Sequence, residues 1–171
     1  MNKKLPNLKL ILIILISAGI LSACSKKTET PSNQLIGTWT ISSATADITV
    51  NGKSLTQYYT DLGSTQTEAA QLAQIIESSI QQSFTGTVTV KSDNTYTATI
   101  SGSTDSGTWS LNSDGTKLTL VDSNNVSSTY DIVNLDSHNL ELSFVTTEQD
   151  DLNSDGTPDT ITLNVNMKLT K

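Results

Sequence analysis

Near the end of the chain, "DLNSDGTPDTI" sets Asp151, Asn153 and Asp155 at alternate positions, then Gly156, Pro158 and Asp159. Side-chain oxygens at every second residue, followed by a glycine free to turn sharply, can wrap a hard cation such as Ca2+. The expected ligands are Asp151, Asn153, Asp155 and Asp159, with the backbone carbonyl of Thr157. The competing reading is an acidic hairpin turn whose side chains bond their own backbone. In its favour, short polar side chains serve turn geometry. Against it, three carboxylates converging without a cation repel one another. Calcium is the reading expected here, in a structural role: pinning the hairpin of the last two strands.

Other candidate chemistry is sparse. His138 is the only histidine and lies in "DSHN", a turn without metal or catalytic partners. No nucleophile elbow, zinc-binding helix motif or glycine-rich phosphate loop is present. Asp93, Asp105, Asp114, Asp122 and Asp136 all sit in apparent turns, where aspartate usually bonds local backbone. No catalytic residue is expected and the protein reads as a non-enzyme. A hydrolase with unrecognised acids ranks third among the functional readings.

The N-terminus, "MNKKLPNLKLILIILISAGILSAC", has Lys3, Lys4 and Lys9 ahead of an apolar run from Leu10 to Ile16. That is a secretory signal layout, and its apolar part is shorter than the roughly 20 residues of a membrane span. "LSAC" resembles the bacterial lipobox. The resemblance implies cleavage before Cys24, a diacylglycerol on its sulfur and a fatty acyl group such as palmitate on its amine. Cys24 is the only cysteine, so acylation leaves no thiol for a disulfide or for catalysis. Ser25 in place of Asp implies export to the outer membrane. The expected organisation is a lipoprotein signal peptide over 1–23, a lipidated flexible tether over 24–34 and one domain over 35–171.

Removing 23 of 171 residues takes away three of the ten lysines. Seven lysines then face 17 acidic residues, a net charge of −10, and the chain contains no arginine. No nucleic-acid partner is expected, because no basic patch is available to neutralise phosphate.

The elements that must position any site are mostly short segments alternating with period two, separated by turn residues. "LIGTWTISS" puts Leu35, Gly37, Trp39 and Ile41 on one face and is expected to run on, bent, to an Asn51-Gly52 turn. After Phe84 come "FTGTVTVK", "YTATIS", "TWSL", "KLTLVD", "VSSTYDIV", "LELSFV" and "ITLNVNMKL". Asp114-Gly115 is a strong hairpin signal. Eight strands in hairpin succession predict an all-β fold: an antiparallel, up-and-down, eight-stranded barrel, closed so that no edge is exposed. One α-helix is expected between strands 1 and 2, where "STQTEAAQLAQIIESSIQQS" carries Ala69, Leu72, Ala73, Ile76 and Ile80 on one stripe behind a Thr65/Glu68 capping box.

Gly37 and Trp39 in "LIGTWTI" match the Gly-x-Trp signature of lipocalins, and "VTVKSDNTYTATISGSTDSGTWSLNSDGTKLTLV" resembles bacterial lipocalin-like lipoproteins. The resemblance spans most of 35–171. It implies a calycin-type barrel whose floor is closed by Trp39 and whose interior holds a small apolar molecule. On that reading Leu72, Ile76 and Ile80 are expected to lid the mouth. The acidic loop resembles the first half of an EF-hand loop, and its "DGTPD" resembles the calcium loops of thrombospondin type-3 repeats. Where an EF-hand has its bidentate Glu, this chain has Thr162, so the affinity implied is weak, roughly 10⁻⁴–10⁻³ M.

Two functions follow as expectations. The first is a lipid-anchored, non-enzymatic envelope protein that binds a small apolar or amphipathic ligand in the barrel. The second is a structural or protein-interaction lipoprotein with a filled barrel and a calcium loop.

Overall fold

A computed structural model describes residues 30–171. Elements follow in the order α1 (Pro31–Leu35), β1 (Gly37–Val50), β2 (Lys53–Ser54), α2 (Leu55–Asp61), α3 (Gln66–Ser83), β3 (Gly86–Val90), β4 (Thr95–Ile100), β5 (Ser103–Leu111), β6 (Lys117–Asp122), β7 (Ser127–Leu135), β8 (Asn139–Asp150) and β9 (Asp159–Thr170). The signal segment and Cys24 lie outside the described residues.

Each strand from β3 to β9 pairs antiparallel with its neighbours in sequence, β1 pairs with β3, and β1 also pairs with β9. The sheet therefore closes into an eight-stranded, up-and-down barrel, as the alternation predicts. β2 is a two-residue stub folded back on β1 through the Asn51-Gly52 turn. Both turn residues have positive φ, 52° and 74°, which suits a tight hairpin.

β1 bends as its length requires. Its register with β9 shifts between Ile41 and Ser43. Before this bulge Trp39 and Ile41 belong to the inward set; after it Ala44, Ala46, Ile48 and Val50 do. One extra residue thus lets an apolar sequence that changes phase stay on the core side.

The helical part differs from the single expected helix. α3 is that helix, with the Thr65/Glu68 capping box in place. α2 precedes it, started by Ser54, whose hydroxyl accepts from the Gln57 amide. α1 takes four residues from the stretch expected to be tether, and its fifth, Leu35, from the expected first strand. The reason is packing: Leu35 is completely buried in the barrel core, while the Thr30 hydroxyl accepts from the Asn33 amide and starts the turn.

β1, β8 and β9 have 14, 12 and 12 residues, whereas β3, β4 and β6 have 5, 6 and 6. At the end where β1 begins, the barrel is even and α1 closes it. At the other end the β8–β9–β1 side stands above the rest. α3 packs on this projecting part, where Ala73, Ile76 and Ile80 join Ile48, Val50, Leu55 and Tyr58 in a second core. Leu163 belongs to both cores and links them.

Candidate functional site

At the floor, Trp39 is fully buried and its Nε1 donates to the Leu35 carbonyl at 2.7 Å. That bond ties β1 to the end of α1. Lys171 Nζ lies 4.3 Å from the Trp39 ring centroid and donates to the Gln34 and Ile36 carbonyls at 2.6 and 2.8 Å. The last residue of the chain thus covers the ring and binds carbonyl groups at the end of α1. Gly37 makes room for it: φ is 140°, and a Cβ there would lie 3.1 Å from the Lys171 side chain. Trp39 is therefore buried at the end of the barrel that α1 and Lys171 cover.

Above the floor is a cavity of about 270 Å³. Its lower walls are Trp39, Val90, Leu118, Leu140, Met167 and Leu169, and Tyr96, Ala98 and Ile100 rise along β4. The volume lies just below the roughly 300–1,000 Å³ usual for small-molecule sites. The barrel interior is thus open enough for one small molecule.

The upper end of the cavity is polar. Ser103, Asp105, Asp122, Ser128 and Tyr130 line it. Sequence reasoning treats Asp105 as a turn residue, but β5 begins at Ser103, so Asp105 is in a strand. It lies four residues before Trp109, in step with the inward alternation. Extending the period-two pattern backward from Trp109 through Gly107 would have found it. Asp122 ends β6, two residues beyond Leu120, and also serves its turn by accepting from the Asn124 and Val126 amides at 2.8 and 2.7 Å.

Gly107 pairs with Asp122 across β5 and β6. A Cβ at Gly107 would stand 1.9 Å from the Val121 carbonyl oxygen, so only glycine permits this approach of the strands that carry the two acids.

Tyr96 is buried and its hydroxyl donates to Asp105 Oδ2 at 2.7 Å. Burial, then this hydrogen bond and the nearby charges of Asp105 and Asp122, push its phenol well above the ordinary tyrosine range. Tyr130 shifts the same way, chiefly through burial. Its ring meets Phe144 edge-on at 5.4 Å, and Phe144 in turn meets Phe84 at 6.2 Å.

Leu72, Ile76 and Ile80 do not line this cavity. Ile76 and Ile80 pack on the projecting strands, and Leu72 is 42% exposed. The uneven strand lengths explain this: the helix finds apolar surface on the tall wall and does not lie across the mouth.

The acidic loop does not assemble the five expected ligands into one set. Asp151 accepts from the Asp155 and Gly156 amides at 3.0 and 2.9 Å. Asn153 Oδ1 accepts from the Asp155 amide at 3.0 Å, and Asp155 accepts from the Thr157 amide at 2.7 Å. Asp155 is held below the usual carboxylate range by its bonds from Asn153 and then Thr157. Asp159 is 5% exposed and directed elsewhere: Oδ1 accepts from Asn51 Nδ2 at 2.6 Å, and Oδ2 accepts from the Tyr58 hydroxyl at 2.8 Å and the Leu152 amide at 3.3 Å. Among the described residues no three histidine, cysteine or acidic side chains gather closely enough to hold a metal ion.

No protein-family model matches this chain, and no curated protein matches it. Among solved structures it is similar to a crystal structure of a DUF4847 family protein from Bacteroides vulgatus, at 18% identity and a TM-score of 0.33, over 74% of this chain and 90% of that one.

Proposed function

We propose that this protein is a non-enzymatic, lipid-anchored module of the cell envelope that holds one small apolar or amphipathic molecule inside its barrel. The observation that carries the reading is the cavity: an interior of about 270 Å³ with an apolar wall above a sealed floor. A barrel of eight strands has room either for a filled core or for one small ligand, and a cavity of this size favours the ligand.

The anchor reading adds an orientation. Cys24 precedes Thr30 by six residues, a reach of at most about 20 Å. α1 starts there, at the floor end. A lipid on Cys24 therefore turns the floor toward the membrane and the mouth toward the aqueous side, and export of this anchor to the outer membrane follows from the lipobox resemblance. Cys24→Ser should abolish detergent partitioning and the diacyl mass. Retention of both would refute the anchor.

Cavity binding is tested with N-phenyl-1-naphthylamine, an uncharged dye that fluoresces in apolar surroundings. Wild type should enhance its emission, and Ala98→Phe, which fills the cavity from β4, should remove most of that enhancement while circular dichroism stays unchanged. Equal enhancement in both proteins would place the dye elsewhere.

A second reading, a protein-interaction surface, draws on Leu62, Leu72 and Ile75, which are 50%, 42% and 65% exposed, Leu62 at the C-terminal edge of α2 and the other two on α3. It predicts undiminished partner capture by Ala98→Phe and loss of capture by Leu72→Ser with Ile75→Ser.

A further inference from the structure

The chemistry of the cavity narrows its ligand class; the inference rests on the binding reading above. Both charged residues that line the cavity, Asp105 and Asp122, are acidic; no lysine, arginine or histidine lines it. Neither carboxylate takes part in the ion pairs of the described residues, which join Lys53 to Asp61 and Lys117 to Asp131. Both acids act on the Tyr96 phenol, so their negative potential reaches into the upper cavity. Tyr130, held edge-on by Phe144, adds an aromatic ring to the same lining.

An anionic head group such as a fatty carboxylate would meet two like charges there and no compensating cation. Carboxylates with aromatic rings are instead the groups that hold an organic ammonium, by charge-assisted hydrogen bonds and by attraction to the ring face. The remaining wall suits a compact hydrocarbon or aromatic body. We infer that the barrel selects small amphipathic cations: an apolar body seated above Trp39, with a protonated amine at Asp105 and Asp122.

The probes are 1-naphthylmethylammonium, 1-naphthalenemethanol and 1-naphthoate, which share one apolar body and differ in head-group charge. Each is titrated calorimetrically into the full chain at pH 7, with matched detergent titrations subtracted. The ammonium should bind about ten-fold more tightly than the alcohol, the size of one charge-assisted hydrogen bond at a partly exposed site. The carboxylate should bind more weakly than both.

Asp105→Asn with Asp122→Asn should bring the ammonium down to the alcohol's affinity and leave the alcohol unchanged. If the double variant does not fold, Asp105→Asn alone is used, with ionic strength as a second measurement. Added salt should weaken only the ammonium. Equal or tighter binding of the alcohol or the carboxylate would overturn the cation inference and leave the binding reading standing. So would an ammonium preference that neither the acid substitutions nor salt reduce. No binding of any probe up to about 1 mM, a bound of about −4 kcal/mol, would overturn the binding reading itself.

Discussion

The molecule contains the same chemical pair twice, and the two copies do different things. Tyr58 donates to Asp159 at 2.8 Å, and Tyr96 donates to Asp105 at 2.7 Å. Asp159 is enclosed: Asn51 and the Leu152 amide occupy its other acceptor positions, and the residue is 5% exposed. It clasps α2, the β1–β2 turn and the start of β9 into one unit. Asp105 is exposed at the mouth of a cavity. A Tyr–Asp hydrogen bond is therefore not itself a site. What sets the pairs apart is burial and partners: Asp159 is enclosed and shared among three donors from three segments, whereas Asp105 is exposed and stands on the lining of an apolar-walled cavity.

The largest test of this contrast is stability. Asp159→Ala would leave the Tyr58 hydroxyl, Asn51 amide and Leu152 N–H without their acceptor. A loss of about 2–4 kcal/mol is expected from urea unfolding. Asp105→Ala should lose less, about 1 kcal/mol, because it strips one donor and the Tyr96 hydroxyl left behind stands on the cavity lining, where water can replace the carboxylate. Equal losses would erase the distinction.

Alkaline pH gives the next effect. Burial, then the bond to Asp159, push the Tyr58 phenol from 10.0 up to about 12. The folded chain thus keeps a proton that the unfolded chain releases. Stability from this source is complete below pH 10 and disappears as pH rises from 10 to 12. Tyr96 is raised as well and acts with the same sign. Melting temperatures across that interval should fall less steeply in Tyr58→Phe and in Tyr96→Phe than in wild type. A saturating cationic ligand should alter the profile of the Tyr96 pair and leave that of the Tyr58 pair unchanged. Identical slopes in all three proteins would remove the tyrosines from the account.

The smallest expected effect concerns the loop leading into Asp159. With that carboxylate turned inward, a cation has only Asp151, Asn153, Asp155 and the Thr157 carbonyl to draw on. Calcium titration should show weak binding at most, roughly 10⁻⁴–10⁻³ M, with a melting temperature raised slightly by Ca2+ and unchanged in Asp151→Ala. A flat titration would leave the acidic turn, built on the amide bonds these side chains already accept. Micromolar binding abolished by Asp159→Asn would show that Asp159 can leave its clasp.

The barrel was legible because its signals are local. Alternation with period two, Asn51-Gly52, Asp114-Gly115 and the Thr65/Glu68 box each act within a few residues, and hairpin succession leaves one simple order of strands. The polar rim was less legible. "STDSG" carries turn residues but pairs with β4 as strand, because closing the barrel requires β5 to span it. Turn propensity yielded to the ladder of hydrogen bonds.

By itself, the sequence determined the number of strands, their antiparallel succession, the helix after the first strand and the inward place of Trp39, since each depends on residue type and short spacing. Tertiary structure decided what the ends of the barrel do. Tyr58 meets Asp159 across 101 positions, and Lys171 reaches the Gln34 carbonyl across 137. α3 leans on the tall β9–β1 wall because strand lengths differ around the barrel. No local pattern encodes such meetings. They exist only once the sheet has closed and has brought distant chain ends, and their charges, to the same place.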